Sequence, residues 1–136
     1  MTESPVLQIV LQRSQADCAI AVLASYLGKT YEDVLAAAAT LQLDPKIHRR
    51  GMWTHQMEKT AEALGVRLRR HRKWDLDTSE GILCLFQGNK SGDVSHVVIL
   101  KGGYIFDMDG GTVWEPDVYL SVERYKPTLL VSREER

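Results

Sequence analysis

The sequence predicts an α+β fold, a helical first half packed on an antiparallel sheet. Before Gly65, apolar residues recur at intervals of three and four. From Val66 onward they alternate with charged residues or gather into short blocks of strand length. A chain of 136 residues falls in the usual range of one domain, so 1–136 is read as a single unit ending in a polar tail, 132–136.

The formal net charge of −1 gives no overall pull toward nucleic acid or anionic lipid. Met-Thr-Glu-Ser-Pro lacks the basic start and apolar core of a secretion signal, and no apolar run has membrane-spanning length. The expectation is a cytoplasmic protein with no membrane span. Cys18 and Cys84 form no metal-ligand spacing, and in a reducing compartment both are expected as free thiols.

Val6 to Leu11 has the composition of a short strand, after which Ser14 and Asp17 offer oxygens to cap the first helix. Ile20, Leu23 and Leu27 form its buried stripe and Gly28 its stop. A second helix starts at Thr30, with Asp33 three residues later forming a near capping box, and runs to about Leu41, while Pro45 bars any continuation. A third, roughly Trp53 to Leu64, carries Trp53, Met57, Ala61 and Leu64 on one side and closes at Gly65. Strands follow at Val66–Arg69, at "GILCLF", in the hairpin "SHVVILKGGYIFDMDGG" turning at Gly102-Gly103, and at "TLLVS".

Cys18 falls in the first turn of its helix, where unpaired N–H groups and the helix dipole stabilise a thiolate. Taken alone, a cysteine there is more often a small core residue, so a nucleophile needs a histidine to take its proton and a polar group to orient that ring. His48, His55 and His71 have no acidic or amide partner on a shared strand face; His96 does. With the turn at Gly102-Gly103, Lys101 pairs with Tyr104 and His96 falls opposite Asp109; a one-residue slip brings Asp107 opposite instead. Both aspartates share the histidine's face, so either can orient it. The oxyanion formed on attack needs donors, for which the Cys18 N–H and the Gln12 amide are candidates.

Together these residues resemble the double-glycine leader peptidases, papain-like cysteine peptidases usually found as N-terminal domains of bacteriocin-exporting transporters. The family pattern has a glutamine six positions before a D-C pair that opens a helix, a histidine leading an apolar strand, and an aspartate ending the next strand. Gln12, Asp17-Cys18, His96-Val97-Val98 and Asp109 occur in that order. "RRGMWTHQMEKTAEALGVRLRR" is similar to the family's glycine-led helix and following strand, and the likeness extends over roughly residues 6–131. The resemblance implies a papain-like fold with a site between its halves. It also implies peptide-bond hydrolysis through an acyl-thioester on Cys18, with His96 as base and then acid, Asp109 orienting and Gln12 in the oxyanion hole. No cofactor or metal is implied. Ala19 replaces the family's glycine after the cysteine, and "DMDGG" replaces the usual D-P, which keeps Asp107 open as the orienting residue. With no exporter segments read in the chain, the partners implied are a peptide or protein substrate and a separate exporter.

Two other readings of the same fold are a hydrolase acting on an isopeptide or cell-wall peptide and a catalytically silent binding module. Met52, Trp53 and Trp114 could narrow a slot beside Cys18, although core packing is the commoner role of such residues. Arg67, Arg69, Arg70, Arg72 and Lys73 cluster as a nucleic-acid surface would, but such runs are usually solvated faces and the acidic "WDLD" beside them weakens the local field, so no nucleic-acid partner is expected.

Overall fold

The computed structural model describes residues 7–13, 17–41, 54–87 and 96–134. Their elements are α1 (Cys18–Leu27), α2 (Tyr31–Thr40), α3 (Thr54–Ala63), β1 (Leu68–His71), β2 (Gly81–Gln87), β3 (His96–Lys101), β4 (Tyr104–Asp107), β5 (Thr112–Trp114), α4 (Pro116–Glu123) and β6 (Tyr125–Arg133). The strands form one antiparallel sheet in the order β1-β6-β2-β3-β4-β5. The expected α+β fold is observed, but β5 and α4, between the predicted hairpin and the last strand, were not expected.

Alternation along the strands divides the core in two. Ile82, Cys84, Val97, Ile99 and Val131 point toward α1, α2 and α3, where they meet Ile20, Leu23, Val34, Met57 and Ala61. Leu83, Leu85, Val98, Leu100, Ile105 and Leu130 point the other way, onto Tyr119 of α4. A sheet covered on both faces favours uninterrupted apolar strands, and "GILCLF" and "HVVIL" are such runs.

Helix α1 lies almost entirely within this core, every residue but Tyr26 being buried. Gly28 ends it in the left-handed conformation (φ 69°), which glycine adopts without a Cβ clash. The predicted capping box opens α2: the Asp33 N–H donates to Thr30 Oγ1 (3.0 Å), and the Thr30 N–H to Asp33 Oδ2 (3.4 Å). Helix α3 begins at Thr54, while Trp53 lies outside the described residues, as do Ser14, Pro45, His48 and Met52.

Residues 7–13 are not the strand expected for Val6–Leu11; Val6 itself lies outside the described residues. Side-chain and single backbone bonds replace a ladder there. The Val10 N–H donates to Ser25 Oγ (2.8 Å), whose hydroxyl donates to the Ala21 carbonyl (2.8 Å), and the Gln12 N–H donates to the Met108 carbonyl (3.1 Å). The segment is thus fastened to α1 and to the chain just beyond β4.

At the start of β2, a Cβ on Gly81 would stand 2.6 Å from the Val131 carbonyl oxygen and 3.2 Å from Leu130 Cδ1. The backbone oxygen belongs to a paired strand and cannot swing aside. Gly81→Ala should therefore destabilise the fold by about 1–3 kcal/mol, read as a lowered urea midpoint with an unchanged slope.

Where β2 meets β6, Cys84 pairs with Leu129 but Leu85 with Pro127, so Thr128 is an extra residue in β6. This bulge suits a strand containing proline, and the Thr128 hydroxyl donates to the Cys84 carbonyl (3.2 Å). By simple alternation Tyr125 would share a face with Leu129, which packs toward α1. The bulge reverses the parity and turns Tyr125 to the α4 face.

Candidate active site

Cys18 is the first residue of α1, at the end of the sheet where β3 begins with His96. Asp17 holds the cap position, but its carboxylate does not cap the helix as expected. It is fully buried, and Oδ2 accepts the Arg13 N–H (2.7 Å) and the Tyr31 hydroxyl (2.6 Å). Asp17 therefore braces the approach to Cys18 from α2 and from the preceding segment.

The His96 ring lies near enough to Cys18 for the sulfur to help raise its pKa. Its Nε2–H donates to Asp107 Oδ1 at 2.9 Å, leaving Nδ1 as the nitrogen for the sulfur. Cys18, His96 and Asp107 retain only 9%, 8% and 8% exposure, so their mutual interactions are little screened by water.

The ring's carboxylate partner is Asp107, which corrects the expectation of Asp109. The hairpin turns at Gly102-Gly103 as predicted, with both glycines at positive φ (61° and 82°) and Lys101 opposite Tyr104. The ladder stops at Ile99 opposite Phe106, however, and β4 ends at Asp107. Asp107 Oδ1 also accepts the Asp109 N–H (3.0 Å), an Asx turn that takes the chain off the sheet. Asp109 therefore sits exposed in the turn and never comes opposite His96. Asp107, on the same face and diagonal to the histidine, lies within reach.

Burial alone would push the His96 pKa down, but the hydrogen bonds to Asp107 and Cys18 outweigh it and raise the ring to about 10. Burial also opposes ionisation of Asp107. The bond and charge of His96, with the Asp109 N–H and the Tyr119 hydroxyl, nonetheless hold its carboxyl below the usual range. At neutral pH this describes an imidazolium on a carboxylate.

Two residues at the site escaped sequence reasoning. Tyr119, in α4, donates its hydroxyl to Asp107 Oδ2 (2.7 Å), and Tyr125 stacks on the His96 ring with centroids 5.7 Å apart. Helix α4 was itself unread, although Pro116 at its first position and Asp117 in its first turn are start signals. Trp114, which could have lined a slot, instead packs edge-on against Tyr119 (5.6 Å).

Gln12 is half-buried, and its backbone bond to Met108 brings it to the same end of the sheet as Asp107. Cys84 is buried among apolar side chains, and its thiol pKa is pushed up to about 11 by that burial. Of the basic run, Arg70 is paired with Glu58 (2.6 Å) and Arg67 lies 3.7 Å from Glu134. Among the described residues, no helix is long and apolar enough to cross a membrane.

Comparison with known families gives a match to the Peptidase C39 family over residues 6–104, a stretch that includes Gln12, Cys18 and His96 and ends before Asp107. No curated protein matches the chain.

Proposed function

The chain belongs to the Peptidase C39 family, the double-glycine bacteriocin leader peptidases of the papain-like cysteine peptidase clan, and on that premise we propose that it hydrolyses a peptide bond through an acyl-thioester on Cys18. What supports this reading above all is the contiguous set of Cys18 at a helix start, His96 on its thiol and Asp107 on the far side of the ring.

The reaction starts with the thiol proton already on His96, as a thiolate–imidazolium pair. The thiolate attacks the scissile carbonyl, and the oxyanion is met by the Cys18 N–H and the Gln12 amide. The imidazolium then gives its proton to the departing amine. Water, deprotonated by the neutral ring, attacks the thioester, and the proton returns to sulfur as the acid product leaves. Asp107 keeps Nε2–H directed at itself and Nδ1 at the sulfur throughout.

The preferred substrate is a peptide cut after a Gly-Gly pair, a proposal drawn from the family. Synthetic peptides containing Gly-Gly or Ala-Ala before the same following residues, incubated with the protein and with Cys18→Ala, test it by mass spectrometry of the products. Cleavage after Gly-Gly alone, absent in Cys18→Ala, is expected. Equal cleavage of both peptides would overturn the specificity, and cleavage by Cys18→Ala the mechanism.

A further inference from the structure

Asp107 carries more hydrogen bonds than the orientation of one imidazole requires. Oδ1 receives both His96 Nε2–H and the Asp109 N–H, while Oδ2 receives the Tyr119 hydroxyl. A carboxylate bonded through one oxygen can still rotate about its terminal torsion, which is broad and soft. A donor on the second oxygen fixes the plane.

We infer that Tyr119 is a positioning residue for the Cys18–His96 pair, acting through Asp107; the inference rests on the peptidase reading above. Its hydroxyl sets the plane of the carboxylate, so that Oδ1 stays in line with Nε2. Its ring is 1% exposed, held edge-on by Trp114 and stacked on Tyr125 at 6.1 Å. Tyr125 in turn stacks on His96. One aromatic column thus supports both partners of the His96–Asp107 bond. The placement depends on two features remote from the cysteine: the Pro116-led helix that presents Tyr119, and the bulge at Thr128 that turns Tyr125 to this face.

Tyr119→Phe removes the oxygen and keeps the ring. With the carboxylate free to rotate, His96 should lose part of its hold on the proton, and the thiolate part of its partner. Alkylation of Cys18 by iodoacetamide at pH 7 should slow by about 10-fold, as expected for one lost hydrogen bond to a charged group. The ¹⁵N titration of His96 should move to lower pH. In the Asp107→Asn background, Tyr119→Phe should slow alkylation no further, because the residue through which it acts is already altered.

An unchanged His96 titration and alkylation rate in Tyr119→Phe, with only a lowered melting temperature, would make the hydroxyl purely structural and overturn the inference. So would full additivity with Asp107→Asn. A measurement on the unaltered protein covers the case in which the variant does not fold. The ¹³Cζ shift of Tyr119 should change in step with the titration of His96, and its failure to do so would also overturn the inference. If Cys18 of the unaltered protein alkylates no faster than an ordinary thiol, the peptidase reading fails, which a normal Cys18 rate with an unresponsive Tyr119→Phe would not imply.

Discussion

His96→Ala should reduce peptide hydrolysis per folded molecule by about 10²–10⁴-fold, the range supplied by a general acid and base, and some loss of stability should accompany it because the buried Asp107 carboxylate loses its partner. On the proposed mechanism the substitution removes the proton acceptor for Cys18, the acid for the departing amine and the base for the hydrolytic water together. No other described histidine is placed to take this role: His55 is exposed on α3, and His71 of β1 is bonded to Ser132. The raised ionisation of the ring also sets the alkaline side of the pH profile. Protonated below about pH 10, His96 can act as acid; as pH rises through that value the proton is lost and hydrolysis should fall. Alkylation of Cys18, which needs the thiolate but no acid, should not fall with it. The two activities are therefore expected to part company above pH 10, and parallel declines would mean that His96 is not the acid.

Asp107→Ala should cost about 10²-fold in hydrolysis, the penalty of a displaced catalytic group, whereas Asp109→Ala should stay within about threefold of the unaltered protein. Removing the Asp107 carboxylate leaves burial to act on His96 without its principal counterweight, so the ring should titrate lower. It also leaves the Tyr119 hydroxyl and the Asp109 N–H without their acceptor, and some loss of stability is expected. Asp109 contributes to the site through its backbone N–H, which alanine retains, and its exposed side chain carries no bond to the ring. Rates normalised to folded protein separate the two effects. A larger loss in Asp109→Ala would mean that the chain leaves the sheet later than Asp107.

Much of this arrangement was legible in the residues themselves. Periodicity marked α1 and α3, the Thr30–Asp33 pair located a helix start, and Gly102-Gly103 gave one of the two hairpin registers considered, the one observed. The register was right and yet the aspartate it selected was not on the ring. Extrapolating a ladder assumes that the strand continues, and the Asx turn at Asp107 ends it. The same carboxylate both terminates β4 and meets the histidine, a double use that no single-strand pattern displays. Val6 to Leu11 has strand composition, but the described residues 7–11 form no ladder, and side-chain bonds to Ser25 hold the segment instead. Tyr119 was hidden because the Pro116-led helix was not read, and Tyr125 for a different reason: a bulge reverses facing, and alternation counted through Thr128 puts Tyr125 on the wrong side of the sheet.

The central claim is that His96 keeps Cys18 as a reactive thiolate. The rate of iodoacetamide alkylation of Cys18 against pH, followed by peptide mapping in the unaltered protein and in His96→Ala, tests it most directly. Buried Cys84, whose thiol ionises only near pH 11, is the internal control. Fast labelling of Cys18 at pH 7 relative to Cys84, lost in His96→Ala, is the predicted result. Labelling at pH 7 no faster than that of Cys84, or unchanged in His96→Ala, would contradict the claim and leave a papain-like fold without an activated cysteine.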